Sequence, residues 1–164
     1  MFFPVAPAAY PGPGRVATMA RPRGGEWLSD EMEQLRATGV DVLVSMLTTG
    51  EAYLLGLARE EAEARAAGLE FITSPTVDRA LPSEADAFRD LVRRLVAEMD
   101  QGRQVVVHCR MGIGRSSMVV AAMLMARGVG AREAWASVSA ARGFDVPDSP
   151  AQREWVEEVM AAAG

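Results

Sequence analysis

The chain has 164 residues, of which 49% are apolar and 24% are charged. These proportions are typical of one globular domain, and they exclude a largely disordered or fibrous chain. The net charge is −5, and an acidic domain is poorly suited to binding a nucleic-acid backbone, because that affinity comes mainly from neutralised phosphates.

The N-terminal segment, residues 1–14, contains four prolines and lacks the basic start of a signal peptide. No stretch of the chain approaches the roughly 20 consecutive apolar residues that cross a bilayer. We therefore expect a cytoplasmic protein, with an irregular proline-rich segment at 1–14 and one domain over 15–164.

The first half of the domain alternates strands with helices. Val40 to Leu47 is a β-branched apolar run, which predicts a buried strand. The helix before it is predicted over 27–38, with Ser29 as a possible N-cap and Gly39 closing it. The predicted elements, in chain order, are an edge strand at 14–19, a helix at 27–38, a strand at 40–47, a helix at 58–67 and a strand at 69–73.

The second half continues the alternation. Ser83 and Asp86 have capping-box spacing and predict the start of a long helix. A second buried strand is predicted over 104–108, followed by a short loop and by helices at 116–127, 131–141 and 150–162. Strands alternating with helices indicate a single α/β domain, whose central, mostly parallel sheet is flanked by helices.

The loop after the second buried strand carries the strongest chemical signal. Cys109 and Arg115 bracket it, and Gly112 and Gly114 lie between them. A helix N-terminus presents unpaired N–H groups and partial positive charge, and glycines let successive amides converge on one anion. The Arg115 guanidinium matches two phosphate oxygens, and the positive field favours the thiolate of Cys109. Nucleophile, anion cradle and cation thus converge on one tetrahedral dianion.

This stretch resembles the signature of the cysteine-based protein tyrosine phosphatase superfamily, in particular its compact dual-specificity branch. That signature is His-Cys, five residues, Arg, then Ser or Thr, and it is met from His108 to Ser116. The resemblance implies a tyrosine phosphatase-like fold over 15–164, with Cys109 as nucleophile. It also implies a phosphate-binding loop made of Arg110, Met111, Gly112, Ile113, Gly114 and Arg115.

The resemblance also implies a general acid about thirty residues before the cysteine, since the leaving oxygen must be protonated. Asp78, in the loop at 74–82, has this spacing and is the predicted acid. An ordinary loop aspartate forming an Asx-turn would occupy the same position. Glu84 and Asp86 are the alternative acids, although both fall near a helix start that favours acidic residues in any protein.

Five further residues carry weaker signals. Ser116 corresponds to the family hydroxyl that helps the thiolate leave, and His108 to the histidine that orients the loop. Gln152 resembles a glutamine that places the attacking water, although a solvated helix residue is the simpler interpretation. Arg79 and Arg142 are candidates for the rim of the pocket, where they would attract anionic substrate, but isolated surface arginines are common and neither is predicted to have this role.

The resemblance predicts a phosphomonoester hydrolase, most simply a protein tyrosine or dual-specificity phosphatase with a phosphocysteine intermediate. No cofactor or metal is expected, because the loop supplies the charge stabilisation. We expect a monomer that acts on phosphorylated proteins or small phosphomonoesters, with no nucleic-acid or membrane partner. The alternatives are a phosphoinositide or RNA 5′-phosphate phosphatase, a rhodanese-like sulfur carrier or arsenate reductase, and a phosphate-binding pseudophosphatase.

Overall fold

A computed structural model of the chain describes residues 1–162. Within these residues the strands are β1 (Phe2–Pro4), β2 (Arg15–Met19), β3 (Val42–Ser45), β4 (Glu70–Thr73) and β5 (Gln104–His108). The helices are α1 (Leu28–Ala37), α2 (Thr49–Leu54), α3 (Glu60–Ala66), α4 (Ala85–Asp100), α5 (Arg115–Ala126), α6 (Ala131–Arg142) and α7 (Pro150–Ala162).

The strands form one sheet in the order β1-β2-β5-β3-β4. All neighbours are parallel except β1, which pairs antiparallel with β2. The predicted α/β domain with a mostly parallel central sheet is confirmed. Because β5 lies in the middle, the loop that follows it emerges at the centre of the sheet's carboxyl edge, where open parallel sheets bind their ligands.

Helices cover both faces of the sheet. The side chains of β5 alternate: Val105 and Val107 face one apolar core, and Val106 faces the other. Helices α4 to α7 contribute side chains to the first core, whereas α1 and α3 contribute to the second. Helix α5 is buried along most of its length, which fixes the direction in which its N-terminus points.

The N-terminal segment differs from the prediction of an irregular lead-in. Phe2 to Pro4 form β1, so β2 is not the edge strand. Val5 and Tyr10 are buried in the first core. The prolines occupy the sheet edge and turns, where no ladder hydrogen bond is required of them, and the apolar residues between them pack on the domain.

Two predicted helix caps are wrong, although the helix predicted over 27–38 agrees with α1 to within one residue at each end. Trp27, not Ser29, precedes α1, and Glu84, not Ser83, precedes α4, in both cases without a side-chain capping bond. Helix α2 was absent from the sequence prediction altogether. None of the helices in residues 1–162 is both long enough and apolar enough to cross a membrane.

Candidate active site

The loop from Cys109 to Gly114 joins β5 to α5 and places its cysteine at the helix N-terminus. Cys109 is only 3% exposed. Its Sγ lies 3.3 Å from the Ser116 hydroxyl and accepts a hydrogen bond from the Gly112 amide at 3.3 Å. The sulfur thus has two hydrogen-bonding partners, and both of them stabilise a thiolate.

The geometry requires a glycine at Gly112, and at Gly114 it leaves space for a neighbouring side chain. Gly112 has a φ of +73°, and a Cβ there would lie 2.8 Å from the backbone of Met19 and Ala20. At Gly114 a Cβ would collide with the Asp148 carboxylate. A side chain at Gly112 would push the loop away from the backbone beside it, whereas one at Gly114 would displace the Asp148 side chain, so glycine at Gly112 has a steric cause as well as an electrostatic one.

Arg115 is 1% exposed and is held by four contacts. Its two Nη atoms donate to the Glu51 carboxylate at 2.7 and 3.0 Å, and Nη1 also donates to the Thr76 carbonyl at 2.7 Å. Nη2 lies 3.2 Å from the Asp78 carboxylate. Among the described residues, Nε has no acceptor. A guanidinium has five N–H donors, so this one has its Nε–H left for a ligand.

The Glu51 contact also shifts the titration of both groups. The hydrogen bond from Arg115 lowers the pKa of the Glu51 carboxyl below its ordinary value, against the opposite effect of burial. Burial favours a lower pKa for Arg115, but the hydrogen bond and charge of Glu51 raise it overall. The pair is therefore ionised across the neutral pH range.

Sequence reasoning missed Glu51 because it missed α2. The signal was present: Thr48 and Glu51 form a capping box, in which the Thr48 Oγ1 accepts from the Glu51 amide and the Glu51 Oε1 accepts from the Thr48 amide, both at 3.2 Å. The motif follows β3 directly, and β3 is adjacent to β5. A capping box at the carboxyl end of a parallel strand thus marks a group that can reach the site.

A second missed residue lies behind the loop. Glu60, at the start of α3, is 3% exposed, and its Oε1 lies 2.5 Å from Nε2 of His108. The other ring nitrogen, Nδ1, lies 3.1 Å from the Cys109 carbonyl oxygen. His108 is fully buried, so its ring joins the loop backbone to a carboxylate on a different helix.

The predicted acid Asp78 is half-exposed and lies beside Arg115. The alternative acids have other surroundings: Asp86 forms an exposed ion pair with Arg89 on α4, and Glu84 is an exposed residue preceding that helix. Of the three carboxylates, Asp78 alone contacts Arg115. Arg79 beside it has a φ of +61°, which is uncommon for a residue with a side chain.

Gln152 is buried, so its interpretation as a solvated helix residue is wrong. Its backbone and side chain form a reciprocal pair of hydrogen bonds with Ser149 at the start of α7. Its Nε2 has no partner among the described residues, and it would lie 3.4 Å from a Cβ on Gly114. The amide therefore reaches the phosphate-binding loop.

The remaining residues of the loop differ in burial. Ser116 is fully buried beside Cys109, whereas Arg110 and Met111 are exposed and Ile113 is half-buried. Within residues 1–162 no cluster of three His, Cys, Asp or Glu side chains is placed to hold a metal ion.

Comparison with protein families finds one matching model over residues 17–129, Tc-R-P, a polymorphic toxin system DSP-PTPase phosphatase. No curated protein matches the chain significantly. Solved structures match well. Kinase associated phosphatase (KAP) is 16% identical with a TM-score of 0.89, over 99% of this chain and 94% of its own.

Two further solved structures have similar coverage. Tk-PTP in its active form is 25% identical with a TM-score of 0.73, over 92% of this chain and 93% of its own. PTPMT1 in complex with PI(5)P is 23% identical with a TM-score of 0.71, over 91% and 94%. KAP and PTPMT1, at these identities, show the shared fold alone.

Proposed function

The chain belongs to the DSP-PTPase phosphatase family of polymorphic toxin systems and is a cysteine-dependent phosphatase, and we propose that Cys109, Arg115 and Asp78 carry out its chemistry. The observation that carries the proposal is the contact set of Arg115: it makes three hydrogen bonds to protein and one ion-pair contact with Asp78, and the buried Nε–H has no acceptor among residues 1–162. A phosphate oxygen provides that acceptor.

In the first step the Cys109 thiolate attacks phosphorus. An S–P bond forms, the bond from phosphorus to the leaving oxygen breaks, and that oxygen takes a proton from the Asp78 carboxylic acid. The phosphate oxygens bind the Arg115 guanidinium and the loop amides, which stabilise the charge of the transition state. A phosphate oxygen at Nε and Nη2 of Arg115 displaces Asp78 from Nη2, which frees its side chain to reach the leaving group.

In the second step water attacks the phosphocysteine, the S–P bond breaks, and inorganic phosphate leaves. Asp78, now a carboxylate, accepts the proton from this water. Ser116 donates its hydroxyl hydrogen bond to the departing sulfur, which the 3.3 Å distance to Sγ supports. The buried Gln152 amide near Gly114 supports a role in placing the water.

The substrates of this proposal are proteins phosphorylated on tyrosine, or on tyrosine and serine or threonine. Exposed apolar side chains support it: Val77, one residue before Asp78, and Met111, two residues after Cys109, are 65% and 59% exposed. Such side chains favour contact with an aromatic leaving group. We also propose that the protein is a monomer and that it acts in the cytoplasm. The cytoplasm is a reducing compartment, which keeps a catalytic thiol reduced.

Hydrolysis of para-nitrophenyl phosphate in the presence of EDTA tests the proposal. Wild-type protein should turn over, and Cys109→Ser, which changes one atom, should lose activity by roughly 10⁶-fold, as expected for removal of a covalent nucleophile. Rapid acid quenching should trap a phosphorylated wild-type protein but not a phosphorylated Cys109→Ser. Undiminished turnover in Cys109→Ser, or turnover that EDTA abolishes, would contradict the mechanism.

A further inference from the structure

A hydrogen bond from the end of α6 reaches the backbone of the phosphate-binding loop. Nη2 of Arg142, the last residue of α6, donates to the Met111 carbonyl at 3.1 Å. One peptide earlier, the amide of Arg21, just after β2, donates to the Arg110 carbonyl, also at 3.1 Å. The carbonyls of the two residues that follow the nucleophile are thus each held by a donor outside the loop. The mechanism above uses neither donor.

The direction of a carbonyl also sets the direction of the next N–H group. In a trans peptide the C=O and the following N–H point in opposite directions, and the peptide between Met111 and Gly112 is trans. Because Arg142 holds the Met111 oxygen, the Gly112 N–H points away from Arg142, and it donates to Sγ of Cys109 at 3.3 Å. Arg142 therefore helps to orient a donor that faces the nucleophile.

The peptide between Met111 and Gly112 needs an external hold, because glycine leaves it free to turn. Gly112 has a φ of +73°, and glycine adopts positive and negative φ about equally readily. Rotation of this peptide would move the Gly112 N–H away from Cys109 and turn the Met111 carbonyl toward a bound anion. A carbonyl oxygen and a phosphate oxygen both carry negative charge and repel each other. The hydrogen bond from the charged Arg142 opposes this rotation.

Arg142 is itself held in place by two aromatic rings. Its guanidinium lies over the Phe3 ring, 4.3 Å from the ring centroid, and over the Phe144 ring at 5.0 Å. Phe144 is two residues further along the chain, whereas Phe3 belongs to β1, where it pairs with Thr18 of β2. Nε of Arg142 is buried and has no acceptor among residues 1–162. The ring contacts and the hydrogen bond to the loop therefore fix the position of the guanidinium.

We propose that Arg142 is a positioning residue for the phosphate-binding loop and that β1 holds it in position through the Phe3 ring. This inference rests on the proposed function and extends it, because the N-terminal strand becomes part of the arrangement that binds phosphate. Both Phe3 and Arg142 lie outside residues 17–129, the part of the chain that the family model matches. Arg142 acts through the peptide between Met111 and Gly112 and does not itself touch the substrate.

Replacement of Arg142 by methionine tests the hydrogen bond to the loop. Arg142→Met keeps an unbranched side chain beside the rings but has no donor, so kcat for para-nitrophenyl phosphate should fall by about tenfold, the effect of one hydrogen bond. The affinity for inorganic phosphate, measured by calorimetry, should fall with it. Arg132→Met is the control, because Arg132 is an exposed arginine of the same helix, and it should keep both wild-type values. Wild-type kcat and phosphate affinity in Arg142→Met would overturn the proposal.

The role of Phe3 has a matched control one residue away on the same strand. Phe2 and Phe3 are both half-buried, but Phe2 packs against the second apolar core, whereas Phe3 contacts Arg142. Phe3→Leu should lower kcat and phosphate affinity by about two- to fivefold, and Phe3→Tyr, which keeps the ring, should restore both. Phe2→Leu should lower stability without changing either value. Equal losses of kcat in Phe2→Leu and Phe3→Leu would overturn the role of the Phe3 ring.

The amide resonance of Gly112 separates failure of this inference from failure of the proposed function. In the ¹H–¹⁵N spectrum, added inorganic phosphate should move the Gly112 amide proton downfield in wild type and in Arg132→Met, and by less in Arg142→Met and Phe3→Leu. If wild type hydrolyses no phosphomonoester but these shifts differ as expected, the positioning role stands and the catalytic proposal fails. If wild type hydrolyses monophosphates but the shift is the same in all four proteins, the catalytic proposal stands and the positioning role fails.

Discussion

The loop that binds phosphate and the loop that carries Asp78 differ in how firmly the fold holds them. Cys109 and Arg115 are at most 3% exposed and are fixed between a central strand and a buried helix. Asp78 has a side chain that is 48% exposed, in an irregular segment between β4 and α4, and it contacts the site through Arg115. The groups that hold charge are built into the core, whereas the proposed proton donor is attached at its edge.

The second loop is itself divided. Thr76 is buried, its amide donates to the Met46 carbonyl at 3.0 Å, and its carbonyl accepts from Arg115 at 2.7 Å. Asp78, two residues later, has a half-exposed side chain. The anchored Thr76 keeps the loop beside the site, and the residues after it are free of such contacts with the sheet. This division suits the role proposed for Asp78, whose side chain must leave Arg115 and reach the leaving group of the substrate.

The largest effect that we expect from breaking this arrangement is at Asp78. Asp78→Asn retains the size of the side chain but cannot donate the proton, so turnover should fall by roughly 10²–10⁴-fold. The loss should be large for alkyl phosphates and small for phosphates whose leaving anion is stable without a proton. Steady-state kinetics on both kinds of substrate measure this dependence.

Glu84→Gln and Asp86→Asn are the controls, because they remove carboxylates from the same stretch of chain without touching Arg115. Both should retain the wild-type dependence on the leaving group. If the dependence on the leaving group changed in one of these controls but not in Asp78→Asn, the general acid would be the residue replaced in that control. If it changed in none of the three variants, all three side chains would be excluded as the acid.

Arg115→Lys tests the rigid loop in the same way. Lysine keeps the charge but has no fork of parallel donors, so it cannot span both Glu51 oxygens and a phosphate oxygen together. Turnover should fall by roughly 10²–10³-fold, and the affinity for inorganic phosphate should fall with it. Near wild-type kcat and phosphate affinity in Arg115→Lys would show that charge alone is sufficient.

The two loops also differ in how much the sequence revealed about them. Strand β5, the glycines and the start of α5 are adjacent in sequence, so the geometry of Cys109 and Arg115 follows from local rules. Asp78 could be placed by spacing and resemblance. Its contact with Arg115, however, depends on the strand order, in which β3 separates β4 from β5. Its role as general acid stays a prediction.

Glu51 and Glu60 show where sequence reasoning ended. They are 58 and 49 residues before Cys109 in the printed sequence, and each reaches the site because β3 lies beside β5. The parallel sheet was predictable from the alternation of strands and helices, but the strand order was not. The position of both glutamates at the site depends on the strand order. The one local signal in the sequence was the capping box that contains Glu51.

Removal of the Glu51 carboxylate should loosen Arg115. Glu51→Gln leaves a buried guanidinium without its main counter-charge, which should lower the free energy of unfolding by roughly 3–5 kcal/mol. Turnover should fall by roughly 10²-fold, because misplacement of a positioning group has costs of that order. Chemical denaturation and steady-state kinetics measure the two effects.

The pH dependence identifies the ion pair as the cause. Because the pKa of Glu51 is lowered in the folded state, its stabilisation is fully present above the ordinary value of 4.5 and is lost as the pH falls through the lowered value. The free energy of unfolding of the wild-type protein should therefore fall as the pH is lowered below 4.5, and that of Glu51→Gln should fall less. If it fell by the same amount in both proteins, this assignment would be contradicted.

The smallest effect that we expect is at Glu60, behind the rigid loop. Both ring nitrogens of His108 face oxygen atoms, one from the Glu60 carboxyl group and one from the Cys109 carbonyl. Since the carbonyl can only accept, its contact with Nδ1 assigns a ring proton to that nitrogen. Glu60→Gln keeps a partner for Nε2, because the amide can donate to it, whereas Glu60→Ala leaves a buried nitrogen unpaired. Glu60→Ala should lower the free energy of unfolding by about 1–3 kcal/mol and turnover by about tenfold, and Glu60→Gln should restore most of both.

His108 is the one histidine of the chain, so its ring ¹⁵N resonances report on this site alone. They should show Nδ1 protonated in the wild type and in Glu60→Gln. An unprotonated Nδ1 in the wild type, or a Glu60→Ala protein as active and stable as wild type, would show that the loop does not depend on this pair.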